Sequence, residues 1–102
     1  MTKYTLYVGL FDKVTKKQEI NTLDAYKVAT NIFVAATGGA TITEARGIYT
    51  HESGEIVVEP TLRIEVFGAE WEKITIAAEQ LKTALNQESI AIEKAEVNSM
   101  FF

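Results

Sequence analysis

The 102-residue chain predicts a single α+β domain in which an antiparallel sheet carries two helices on one face. Three observations lead there. Residues 3–10 alternate between apolar and polar positions, the period of a half-buried strand. Two later segments repeat apolar residues at three- and four-residue spacing, the period of an amphipathic helix. Between them stands GIYTHESGEIVVEPTLRIEVFG, Gly47 to Gly68, which reads as two strands folded about a tight turn.

In chain order, Tyr4, Leu6, Val8 and Leu10 form the apolar side of the first strand, against Lys3, Thr5, Tyr7 and Gly9. The segment from Asp12 to Ile20 is polar, carries Lys13, Lys16 and Lys17, and reads as a solvated loop; an anion site at the start of the following helix is the alternative. Asn21 or Thr22 caps that helix, with Asp24 placed favourably in its first turn. Its apolar face is Ala25, Val28, Ala29, Ile32, Phe33 and Ala36, and Gly38-Gly39 stops it. Ala40–Thr50 and Glu55–Phe67 are the arms of the hairpin. Pro60 cannot donate to a strand ladder, so it is expected at a strand end, a bulge or an unpaired side. Trp71, Ile74, Ala77, Ala78, Leu81 and Leu85 mark a second helix ending near Asn86. Ile90 and Ile92 open a last strand, and the chain finishes on the apolar Met100, Phe101 and Phe102. Strand, helix, strand, strand, helix, strand is the ferredoxin-like split βαβ order, filling residues 1–102 as one domain.

Ten basic against fourteen acidic residues give a net charge of −4, the wrong sign for affinity built on neutralising nucleic-acid phosphates. With no cysteine there is no thiol nucleophile and no zinc-thiolate or iron–sulfur site, as suits a reducing compartment. The first residues show no leader pattern and no apolar run approaches membrane-spanning length, so a cytoplasmic protein is expected. Gly38-Gly39 follows a helix, whereas a phosphate-cradling glycine loop precedes one. His51, the only histidine, sits at the hairpin tip beside Glu52 and Glu55 and reads as a solvated turn residue. No catalytic signature, cofactor motif or metal-ligand spacing stands out.

The only two arginines, Arg46 and Arg63, lie on the two arms of the hairpin, and the turn decides which way they face. A two-residue turn at Ser53-Gly54 sets Tyr49 opposite Val58 and puts Ile42, Glu44, Arg46, Glu59, Arg63 and Glu65 on the face without helices. A three-residue turn, Glu52 to Gly54, sets Glu44 and Arg46 opposite Leu62 and Pro60, where burial of uncompensated charge would be costly. The two-residue register, or the longer turn corrected by a bulge near Pro60, is therefore preferred. Arg46 and Arg63 with Tyr7 and Tyr49 are then candidate ligand residues, since guanidinium groups bind anions in a bidentate way and tyrosine adds a stacking surface and a hydroxyl. The plainer reading pairs Glu44 with Arg63 and Glu59 with Arg46 as surface ion pairs.

The stretch IYTHESGEIVVEPTLRIEVFG, followed by an amphipathic helix and a short strand, resembles the hairpin of the trimeric PII-type signalling proteins and their copper-tolerance relatives. With LYVGL it is also similar to a small ferredoxin-like family of unknown function from bacteria and phages. The resemblance implies a hairpin that reaches onto a neighbouring subunit. The leading expectation is a non-enzymatic homo-oligomer, a dimer or trimer, that binds a small anionic ligand such as a nucleotide signal, sequestering it if the chain is phage-encoded. Tyr7, Ile42, Ile48, Phe67, Phe101 and Phe102 are the expected contacts between copies. A protein–protein interaction module is the second expectation. A small dimeric α+β-barrel enzyme, with Tyr, Arg and His lining a cavity between sheets, is the third.

Overall fold

In the computed structural model, which describes residues 1–102, six elements follow in the predicted order: β1 (Thr2–Gly9), α1 (Thr22–Thr37), β2 (Thr41–Thr50), β3 (Ile56–Phe67), α2 (Trp71–Ala84) and β4 (Ala91–Glu96). All strand pairs are antiparallel and the sheet order is β2-β3-β1-β4, with the two long strands side by side and the last strand closing the far edge of β1.

The strand alternation of β1 and β3 and the apolar stripes of the helices meet in one layer. Leu6, Val8, Leu62 and Ile64 from the sheet are fully buried against Ala25, Ala29 and Phe33 of α1 and Ile74, Ala77 and Leu81 of α2. Asn21 caps α1, its side-chain oxygen accepting from the Asp24 N–H at 2.8 Å. Gly38 ends that helix in the left-handed region at φ 81°, where glycine carries no Cβ penalty.

The hairpin takes the register that the sequence disfavours. His51 and Glu55 close a three-residue loop with Gly54 at φ 87°, and Arg46 lies opposite Pro60, Glu44 opposite Leu62 and Ile42 opposite Ile64. Ile42, Glu44, Arg46 and Ile48 therefore share the helix side of the sheet, while Arg63 is on the opposite side. The expected penalty does not arise because the helices end before the hairpin does. The molecule is 47 Å long against 24 and 22 Å across, and Glu44, Arg46, Ile48 and Val58 all remain exposed on the overhanging arms. Ile42, expected between subunits, packs instead against the core. Pro60 needs no bulge: its carbonyl accepts from the N–H of Leu10, the first residue beyond β1, so the missing donor falls where that ladder stops.

The loop after β1 is tied down by one carboxylate. Asp12 accepts from Asn86 Nδ2 at 2.8 Å and from the N–H groups of Val14 and Thr15 at 2.8 and 3.1 Å, and these bonds hold its carboxyl below the usual carboxylate range. On the helix-free side Glu65 is lowered likewise, first by its bond from Lys3 and then by Arg63. Both groups bind protons more weakly folded than unfolded, so their contribution is fully present above the unfolded carboxylate value, near 4, and is lost as pH falls through the folded one. The melting temperature is accordingly expected to drop as pH is lowered from about 5 to about 3, with a shallower drop in Asp12→Asn and Glu65→Gln than in the parent. Parallel thermal melts across that window check it.

Candidate active site

The four ligand residues expected from the sequence do not form one cluster. Arg46 is on the helix side of the overhanging hairpin and makes no ion pair. Tyr7 and Arg63 are cross-strand partners on the helix-free side. There the Tyr7 hydroxyl, and after it the Glu65 carboxylate, raise the pKa of the Arg63 guanidinium. Arg63 is also bonded to Glu65, which Lys3 engages at 2.6 Å, so its charge is already matched, though by Glu65 and not by Glu44. Tyr49 sits on the same side but opposite Val57, about 20 Å along β3 from Arg63 at ~3.3 Å per residue. Phe101 packs edge-on against Phe67 at the end of the sheet beyond Arg63, with ring centroids 6.3 Å apart, and Phe102 stays exposed.

Tyr49 instead lines a cleft of about 210 Å³ where the end of β1, the loop that follows it, the arms of the hairpin and the α2–β4 connection converge. Its charged lining is Asp12, Glu59 and Glu88 with Lys13 and Lys16. Glu59 faces Gly47 across the hairpin, and its Oε2 accepts from the Phe11 N–H at 2.9 Å. The Phe11 carbonyl in turn accepts from Nε2 of the buried Gln87 at 2.9 Å, so this residue is held through both its backbone groups, between β3 and the α2–β4 connection. Gly9 makes room: a Cβ there would lie within 2.5 Å of the Glu59 carboxylate. The result is a carboxylate fixed by a backbone donor, with Oε1 free to meet a ligand, beside an aromatic ring and two ammonium groups. That set can grip a zwitterion while an aromatic or heteroaromatic group stacks nearby.

A larger recess of about 540 Å³ on the helix side is bounded by Thr22, Glu44, Arg46, Val58 and Pro60. Neither of its charged side chains is anchored by a hydrogen bond, whereas Glu59 in the smaller cleft is, so the smaller cleft is the better organised for chemistry. His51 stays at the exposed hairpin tip, outside both.

Glu59 and Gln87 escape sequence reading as site residues, and Lys13 and Lys16 enter it only through the alternative of an anion site at the start of α1. Glu59 looks like one more charge of an alternating strand and the lysines like a solvated loop. A signal was present in Gly9, a glycine inside a strand pattern, which marks a close approach.

No family model matches the sequence, and neither does any curated protein. Among solved structures, a phage SAM lyase in complex with S-methyl-5'-thioadenosine is similar over 93% of this chain and 80% of its own, with a TM-score of 0.70 and 26% identity. CutA from Synechococcus elongatus is similar over 92% of this chain and 73% of its own, at a TM-score of 0.58 and 13% identity. The divalent ion tolerance protein CutA1 from Ehrlichia chaffeensis covers 97% and 84% at 0.57 and 16%. The last two share the fold, which agrees with the copper-tolerance resemblance of the hairpin. The first corrects the leading expectation: the likeness is to an enzyme, which overturns a non-enzymatic binding protein and favours the third expectation, although His51 lies at the hairpin tip, away from both recesses.

Proposed function

We propose that this protein is an S-adenosylmethionine-cleaving enzyme, a lyase releasing S-methyl-5'-thioadenosine, that works as a homo-oligomer with the Glu59–Tyr49 cleft beside a subunit boundary. The likeness to a lyase of that kind over nearly the whole chain carries the reading, and the chemistry of the cleft supports it. In such a cleavage the S–Cγ bond of the aminobutyryl arm breaks and its electron pair leaves with sulfur as a neutral thioether. The electron-poor carbon is satisfied either by the substrate's own carboxylate, closing a lactone, or by loss of a Cβ proton to water as the Cβ–Cγ double bond forms. The α-ammonium keeps its charge throughout, so a fixed carboxylate is well used in holding it, and Glu59 is the fixed carboxylate of the cleft that keeps one oxygen without a hydrogen-bond partner, both oxygens of Asp12 being engaged. Tyr49 supplies a face for the adenine.

The cleft supports a shared site through its size. At about 210 Å³ it is smaller than the ~300–1,000 Å³ usual for pockets that bury a ligand of this class, so it fits the amino-acid arm and leaves the nucleoside uncovered. Exposed Ile48, Ile56 and Val58 on the overhanging hairpin are suited to cover it from a second copy. Native mass spectrometry with added S-methyl-5'-thioadenosine tests both parts together. A dimer or trimer carrying one nucleoside per chain is the expected result. A monomer without nucleoside at tens of micromolar would contradict the reading.

A further inference from the structure

The loop between β1 and α1 presents two positive side chains to the cleft on a backbone that is held in place. The Lys13 N–H donates to the Asn86 carbonyl at 3.0 Å, and the Lys16 N–H to the Asp12 carbonyl at 2.9 Å. Asp12 itself is fixed by Asn86, Val14 and Thr15. Lys16 has φ 61°, in the left-handed region that residues other than glycine and asparagine seldom occupy. Both lysines line the cleft with Glu59 and Tyr49, and neither is engaged in an ion pair within the chain. A solvated loop would need neither the left-handed residue nor the five hydrogen bonds that set it.

We infer that Lys16, assisted by Lys13, recognises the α-carboxylate of the substrate, making this loop the element that distinguishes an intact S-adenosylmethionine from its thioether product. The inference rests on the lyase reading and deepens it. Glu59 and the lysines approach from different elements, β3 and the β1–α1 loop, so the two charges of an α-amino acid are met by opposite charges from two walls. An ammonium holding one carboxylate oxygen also leaves the other free to swing toward Cγ, the geometry that ring closure needs. The product S-methyl-5'-thioadenosine lacks both charges, so it gains nothing from the lysines.

The test uses Lys16→Met and Lys16→Gly, the second of which removes the ammonium at a backbone position that glycine adopts without strain. KM for S-adenosylmethionine is measured by turnover, and the affinity for S-methyl-5'-thioadenosine by calorimetry. Both variants are expected to raise KM about tenfold, as for loss of one charge-assisted contact, while product affinity stays within about twofold of the parent. Lys16→Arg should retain most of the parent KM, and Lys13→Met combined with Lys16→Met should raise KM further. An unchanged KM in an active Lys16→Met overturns the inference and leaves the lyase reading standing. An equal loss of substrate and product affinity overturns it as well, because the lysine would then serve the nucleoside or the fold. A parent protein that binds neither molecule removes the lyase reading and this inference together.

Discussion

Replacing Glu59 by glutamine is expected to lower kcat/KM for S-adenosylmethionine by about 10- to 150-fold, with most of the loss in KM. Glutamine is nearly isosteric, and its side-chain carbonyl still accepts from the Phe11 N–H, so the clamp that ties β3 to the β1 end survives. Only the negative charge is lost. A charge-assisted hydrogen bond to the substrate ammonium is worth about 1.5–3 kcal/mol, which converts to that range of rate constants. Because the ammonium is present in both ground and transition states, the loss is one of uniform binding and appears chiefly in KM. Circular dichroism and thermal melts on the same samples should show a folded protein. A variant with the parent KM would remove Glu59 from the site.

The second large effect is expected at a position that bears no functional group. In Gly9→Ala the new Cβ would lie within 2.5 Å of the Glu59 carboxylate, and the flexible side chain is the part able to give. Moving it breaks the bond from the Phe11 N–H. Displacement by about 1 Å at a group that positions substrate can cost on the order of 100-fold in rate, so kcat/KM should fall by about one to two orders of magnitude. Stability should fall by about 1–3 kcal/mol for the backbone donor left without its partner. Gly9→Ala with Glu59→Gln should then be little worse than Glu59→Gln alone, since both act through one carboxylate. Additive losses in that double-mutant cycle would show that Gly9 acts by another route.

The parts of the structure legible in the sequence are those written in short-range periodicity. The alternation of Tyr4, Leu6 and Val8, the helical spacing of Ala25, Ala29 and Phe33, the Asn21 cap and the Gly38 stop each depend on neighbours a few residues away, and each element forms where that pattern places it. The hairpin register was not legible, because the choice of turn rested on whether Glu44 and Arg46 would be buried. That depends on where α1 ends relative to the overhang of β2 and β3, a fact of the assembled layers. The site was harder still. Tyr49 could be picked out as an aromatic on a charged hairpin, but Glu59 acquires its role from the backbone N–H of Phe11, 48 residues away in the chain, and Gln87 from the carbonyl of the same residue at a separation of 76. Arg46 and Arg63 drew attention as the only arginines, yet chain chemistry alone did not reveal that one lies under the overhang and the other is already matched by Glu65.

The most direct test of the enzyme reading is a turnover measurement on the purified protein with S-adenosylmethionine, following S-methyl-5'-thioadenosine by chromatography and the four-carbon fragment by mass spectrometry, with Glu59→Gln assayed in parallel. With S-adenosylmethionine held well below the parent KM, the account predicts many equivalents of S-methyl-5'-thioadenosine per chain in the parent, formed together with an equal amount of lactone or unsaturated amino acid, and a reaction slower by about tenfold or more in the variant. Parent protein that leaves S-adenosylmethionine no more degraded than a buffer blank, or that cleaves it as fast with Glu59→Gln, would contradict it.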